Sequence, residues 1–161
     1  MVILVDSREQ KTVESQRRYS QFTVPFERVH LKTGDYSAKF LIPDGTWFDL
    51  SDRIVVERKN SIDELAMCFG SERDRFEREF ERAKENLIRM WLLIEGAGFE
   101  KIYDHKYRSR YKPKSLMASI LAWQARYNIR IIMCDRSASG MLIQDILYYE
   151  GREQLMKMVD G

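Results

Sequence analysis

Ile54-Val55-Val56-Glu57-Arg58-Lys59 is the stretch on which the reading of this chain turns. Three β-branched residues run directly into three charged ones, so the segment reads as a strand that reaches the edge of the core at its far end. Alternate side chains of a strand share a face. Glu57 and Lys59 therefore point one way and Arg58 the other. A carboxylate beside an ammonium group at a strand end suits metal-assisted phosphodiester hydrolysis. The carboxylate binds a hard cation such as Mg²⁺, and the cation polarises the phosphate and activates a water. The lysine orients that water or offsets charge growing on the phosphate. Glu-x-Lys taken alone reads rather as a solvated ion pair on a sheet surface. Its direct continuation of the apolar run is what separates the two.

A second carboxylate is needed to hold a cation, and the segments upstream offer one. Residues 2–5 read as a buried strand, residues 10–21 as partly helical and residues 25–31 as rich in β-formers. Gly34-Asp35 then punctuates the chain, residues 39–43 read as a strand, and Asp44-Gly45 marks a tight turn. A hairpin through that turn returns the chain so that Glu57 lies near Asp35. Asp, then Glu-x-Lys one hairpin later, is the pattern of restriction-endonuclease-like folds.

Downstream, Ser61-Ile62-Asp63-Glu64 is a capping box that starts a helix. Residues 72–87 form a longer helix with Phe76, Phe80, Ala83 and Leu87 on its core face. Residues 91–94 are a strand closed by Gly96, and residues 115–127 a helix with Leu116, Ile120, Trp123 and Tyr127 in one stripe. Residues 129–134 are a strand, and two helical segments near 139–149 and 152–158 finish the chain. Hairpins in front and alternating helix and strand behind predict an α/β domain with a mixed sheet and helices on both faces. No repeat, low-complexity tract or linker interrupts it, so residues 1–161 are expected to form one domain.

Composition bounds the function. With 161 residues, 44% hydrophobic and 32% charged, the chain is globular and not disordered. A net charge of +2 does not announce a nucleic-acid partner, so any such surface must come from local clustering. Cys68 and Cys134 lie in apolar stretches outside any CxxC pair and read as thiols in a reducing compartment. The apolar start is too short for a secretion signal, and no stretch approaches membrane-spanning length. An intracellular protein, cytoplasmic or nuclear, is expected.

Three separated segments carry a resemblance: Val5-Asp6-Ser7-Arg8-Glu9, Gly34-Asp35-Tyr36, and Val56-Glu57-Arg58-Lys59-Asn60-Ser61-Ile62-Asp63. Together they resemble the nuclease domain of the XPF family of structure-specific endonucleases. The hallmark there is Gly-Asp, a variable gap, then Glu-Arg-Lys, three residues and Asp. The resemblance implies a restriction-endonuclease-like fold and Mg²⁺- or Mn²⁺-dependent cleavage of branched or junction DNA. It implies Asp35 and Glu57 as metal ligands, aided by the Arg58 carbonyl, with Lys59 serving the water or the phosphate. Asp6 would lie close to the metal. Arg8, Glu9 and Arg58 would support the site or touch DNA, and Asp63 would close the motif. Arg75 matches a family position near the site. Alternatives stand beside several of these. Asp63 suits a helix start on dipole grounds alone, and Arg8 and Glu9 could simply pair with each other.

Residues 101–114 interleave bases with tyrosines. Lys106, Arg108, Arg110 and Lys112 there could contact phosphates while tyrosines stack on unpaired bases; a solvated connection is the other reading. Met141, Leu142, Ile143, Ile146 and Leu147 exceed what one helix face needs. They are core, or else the homodimer interface that XPF-type domains commonly have. No helix-hairpin-helix or helicase segment is read in this chain. A non-catalytic DNA-binding scaffold, or a junction resolvase of the same fold, remains an alternative to the endonuclease.

Overall fold

The first strand, β1 (Val2–Asp6), carries four buried residues in succession, as a strand covered on both faces should. The computed structural model describes residues 1–160. After β1 come α1 (Val13–Ser20), β2 (Phe26–Val29), β3 (Tyr36–Leu41), β4 (Trp47–Asp49), β5 (Ile54–Lys59), α2 (Ile62–Phe69) and α3 (Arg73–Glu85). Then follow β6 (Arg89–Glu95), α4 (Phe99–Tyr103), α5 (Pro113–Tyr127), β7 (Arg130–Cys134) and α6 (Ser139–Asp160). The strands make a seven-stranded mixed sheet flanked by helices, the architecture the element order predicts.

The chain forms two compact units, Met1–Val56 with the stretch from Ser137 onward, and Glu57–Arg136. The division falls inside β5, at the point where its apolar half meets its charged half.

In the first unit β1 pairs in parallel with β2 and antiparallel with β3, and β3 pairs antiparallel with both β4 and β5. Val5 faces Tyr36, and Tyr36 in turn faces Val56. Helix α6 packs on β3 and against α1. It is one helix of 22 residues, not the two segments expected near 139–149 and 152–158. The reason lies in packing. A Cβ on Gly140 would stand 2.3 Å from the carbonyl oxygen of Arg18, and one on Gly151 would stand 2.2 Å from the Phe40 ring. These glycines let the helix approach its neighbours and do not end it. Ile143, Ile146 and Leu147 are core, whereas Met141 is exposed.

In the second unit β6 and β7 run parallel, with Leu92 opposite Ile131 and Ile94 opposite Met133. Helices α2 and α3 pack on β6, and α5 packs on β7. Pro113 at the first turn of α5 sets its start two residues ahead of the expected Ser115. Trp123 sits edge-on to both Phe69 and Phe80, with ring centroids 4.8 Å and 5.3 Å away. Phe76, Phe80 and Ala83 are buried as their spacing predicts, but Leu87 is 89% exposed. Helix α3 ends at Glu85, and Leu87 has φ +58°, so it has already left the helix whose face it was expected to extend. Cys68 is buried and Cys134 only half-buried, and both are free thiols.

Candidate active site

Asp35 heads β3. The residue before it, Gly34, has φ +76°, and a Cβ there would lie 2.7 Å from the Cβ of Val55. Glycine is thus required twice over, for the left-handed backbone and for the approach to β5. That approach lets the Asp35 amide donate to the Val56 carbonyl at 2.9 Å, while the Asp35 carbonyl accepts from the Asp6 amide at 2.8 Å. The Asp6 carboxylate is buried. It accepts from Arg8 Nε at 2.7 Å and from the Leu31 amide at 3.3 Å. Arg8 also donates to the Leu31 carbonyl at 2.8 Å. Arg8 therefore pairs with Asp6, and the expected alternative of an Arg8–Glu9 pair gives way to a different one. Glu9 turns inward to buried Arg18 at 2.6 Å and accepts the hydroxyls of Tyr19 and Tyr36, each at 2.5 Å. This network anchors Tyr36, the residue after Asp35. Burial first, then the nearby Glu9 carboxylate, pushes the Tyr19 hydroxyl up to about 12 and raises Tyr36 further.

In the second unit the strand alternation read from the sequence holds. Lys59 Nζ lies 3.2 Å from Glu57 Oε1, and the two side chains are only 6% and 14% exposed. Arg58 points away and donates to Glu95 Oε2 at 2.9 Å, a carboxylate 2% exposed. Lys59 Nζ also sits over the Phe76 ring, 4.1 Å from its centroid. Arg75 Cζ lies 4.8 Å from the same ring and pairs with Glu72. Phe76 thus links Lys59 to Arg75. Burial raises the Glu57 pKa, with help from Glu79 and Glu64, against the opposing pull of Lys59. For Lys59 burial acts to lower the pKa, but Glu57, Cys68 and Glu64 together outweigh it, and the ammonium titrates above the ordinary lysine value. A carboxyl held in a dry setting beside a locked ammonium has oxygen chemistry suited to a hard divalent cation. Among the described residues no group of three or more His, Cys, Asp or Glu side chains could hold a metal ion.

Asp63 lies in the first turn of α2, whose cap is Ser61 accepting from the Glu64 amide. The Glu64 carboxylate bonds the Asn60 amide at 2.6 Å, one residue earlier than a capping box requires. Asp63 Oδ1 accepts the backbone amides of Arg108 and Ser109 at 2.8 Å and 2.6 Å. It ties the basic loop to the helix start. Within that loop Tyr107 donates to the Tyr111 carbonyl at 2.5 Å and His105 Nε2 lies 2.9 Å from the Ser109 carbonyl oxygen. Lys106, Arg108, Arg110 and Lys112 are exposed, and Lys106 lies 3.3 Å from Asp104.

Three participants leave no functional signal in the sequence. Phe76 reads as core, and nothing marks its ring as the seat of two cations. Glu95 reads as the end of a strand. Arg136 carries no motif signal, yet its Nη2 donates to the Asn60 carbonyl at 2.6 Å. Gly96, at φ +61°, lies where a Cβ would meet Arg136 Nη1 at 2.7 Å, so the glycine makes room for the guanidinium.

The family model described as the ERCC4 domain matches residues 5–144. Among solved structures, XPF from Aeropyrum pernix is 25% identical with a TM-score of 0.66, covering 99% of this chain and 69% of that one. XPF from Aeropyrum pernix in complex with DNA is also 25% identical, with a TM-score of 0.65 over 94% of this chain and 66% of that one. The chain thus spans about two thirds of these proteins. No curated protein matched it.

Proposed function

This chain belongs to the ERCC4 domain family, as an XPF-type nuclease domain of restriction-endonuclease-like fold, and on that premise we propose that it is a Mg²⁺- or Mn²⁺-dependent endonuclease for branched or single-strand/double-strand junction DNA. The observation that carries the proposal is the buried Glu57–Lys59 pair at the end of β5. A relative bound to DNA supports the substrate class. The chain would act as one such domain, and a homodimer would use surfaces other than Ile143, Ile146 and Leu147, which are core.

Asp35, Glu57 and the Arg58 carbonyl would hold the cation. When bound, it supplies Lewis acidity at the phosphate and lowers the pKa of a coordinated water. Lys59 is fixed by Glu57 and by the Phe76 ring. Its preorganised ammonium offsets charge developing on the phosphate oxygens without having to reorient, which is where such a group is most effective. Asp6 sits on the amide ladder next to Asp35 and supports the site. Arg8, Arg75, Lys106, Arg108, Arg110 and Lys112 contact the DNA, mainly through phosphates.

The test is cleavage of labelled flap, fork and splayed-arm DNA with Mg²⁺ or Mn²⁺, beside Asp35→Ala and Glu57→Ala. Both variants are expected to be inactive. Lys59→Met is expected to lose about 10²–10³-fold in kcat, the usual effect of removing one such stabilising group. Cleavage that survives both acid substitutions would overturn the assignment.

A further inference from the structure

We infer that a cleft between the start of α2 and the basic loop is a binding site for one unpaired nucleotide of single-stranded DNA. This rests on the nuclease reading and adds the source of its preference for DNA with a single-stranded arm. The cleft has a volume of about 630 Å³ and is lined by Asn60, Ser61, Asp63, Met67, Arg108 and Ser109. That volume lies in the range of sites that enclose a small ligand. Its lining begins at Asn60, the residue after Lys59.

The lining fits a nucleotide in its parts. Met67 is 48% exposed although it lies in the middle of an otherwise largely buried helix. A thioether is a soft, polarisable surface against which an aromatic base packs well. Ser61 Oγ accepts from the Glu64 amide, which leaves its O–H as a donor. Asn60 adds an amide, whose oxygen lies 3.2 Å from Arg136 Nη2. Arg108 supplies an exposed guanidinium that can meet a phosphate in two parallel bonds. The one acid in the lining has its Oδ1 turned to two backbone amides, which partly offset its charge, and the Arg108 guanidinium stands in the same lining.

Those two bonds also give Asp63 its part. It is a positioning residue that joins residues 45 and 46 positions further on to the helix start, and so holds the Arg108 wall of the cleft in place. A base stacked and paired inside a duplex cannot turn its face to Met67. The occupant is therefore unpaired, and the cleft selects for DNA that offers such a base.

The test separates this from the nuclease reading by measuring binding without cleavage. Fluorescence anisotropy in Ca²⁺ would compare blunt duplex, the same duplex with a single-stranded arm, and the arm-bearing duplex with 2-aminopurine at successive arm positions. The wild-type chain is expected to prefer the arm-bearing DNA and to change 2-aminopurine emission at one arm position. Met67→Ala, which alters no charge, is expected to lose up to roughly tenfold in affinity for arm-bearing DNA, in keeping with the loss of one sulfur–aromatic contact. Asp63→Ala should lower the arm-to-blunt affinity ratio similarly, and Asp63→Asn, which retains an acceptor, should recover part of it. A purely structural role for Asp63 would leave that ratio unmoved. Equal losses on both DNAs, or no loss with either alanine variant, would overturn the inference. A chain that keeps the Met67-dependent arm preference but cuts nothing in Mg²⁺ or Mn²⁺ would overturn the nuclease reading and leave this one standing.

Discussion

Replacing Gly151 with alanine sets two effects of opposite sign against each other. In the interior of a helix, alanine is favoured over glycine by about 1 kcal/mol. Residue 151 lies in the interior of α6, so on propensity alone Gly151→Ala should stabilise the protein. The packing says otherwise. The new Cβ would stand 2.2 Å and 2.4 Å from two ring carbons of Phe40, with Leu50 Cδ1 at 3.1 Å. Phe40 is 8% exposed and Leu50 fully buried. To reach ordinary contact the ring must retreat by about 1.2 Å in an interior packed as densely as an organic crystal. Overpacking of this kind costs roughly 1–3 kcal/mol and sometimes more. A 2.2 Å approach to a buried ring belongs in the upper part of that range, about 2–3 kcal/mol, so against about 1 kcal/mol of propensity the clash decides the sign and the net loss is about 1–2 kcal/mol. For a chain of this length that lowers the midpoint by about 2–8 °C. Thermal melts followed by circular dichroism, with urea titration alongside, measure it. Gly45→Ala is the control, since a Cβ there meets nothing within 4 Å and only its φ of +86° opposes the change. A Gly151→Ala protein as stable as the original, or more so, would refute the account of α6 as one helix held close by small residues.

Other expectations follow from the site. Arg58→Ala removes the bond to the buried Glu95 carboxylate and should cost about 1.5–3 kcal/mol in urea unfolding, the range for a hydrogen bond to a charged group; a change below about 0.5 kcal/mol would contradict it. Arg136→Ala should lower single-turnover kcat by about 10–100-fold through the displaced Asn60–Lys59 segment, with Arg136→Lys in between and little change in melting temperature; an unchanged kcat would dismiss Arg136 as a positioning residue. Burial pushes the Cys134 thiol up to about 11, with Glu95 and Asp135 adding to it, and the Cys68 thiol up to about 12 against the opposing field of Lys59. Both folded pKa values are raised, so the neutral thiols favour the fold below the ordinary thiol pKa, and that contribution fades as pH rises toward 11 and beyond. At pH 8 a thiol reagent should label Cys134 about 100-fold more slowly than the unfolded chain, and fast labelling in the native state would refute this.

How far the sequence carries differs from element to element. β5 was readable because an apolar run and a charged run each leave a signal in consecutive residues, and strand alternation then orients Glu57, Arg58 and Lys59 without further information. Ser61 announced a helix start for the same local reason. The length of α6 was not readable. Glycine is usually punctuation, and only the positions of Phe40 and Arg18, more than 100 residues away in the chain, show that Gly140 and Gly151 are contact points. Leu87 keeps the helical period but is itself the residue at which the backbone turns left-handed. In the site, Asp63 offered a local explanation in the helix dipole, whereas its partners lie in a loop far along the chain. Arg136 and Phe76 act through neighbours brought to them by the fold and leave no pattern of their own.

If Asp35 and Glu57 together hold one divalent cation beside Lys59, as proposed, an ion must bond to both carboxylates at once. Anomalous diffraction from a crystal soaked in Mn²⁺ addresses it directly. A single ion bonded to oxygens of both carboxylates and to the Arg58 carbonyl is the expected result. An ion held by only one of the two acids, or bound elsewhere in the protein, would contradict it.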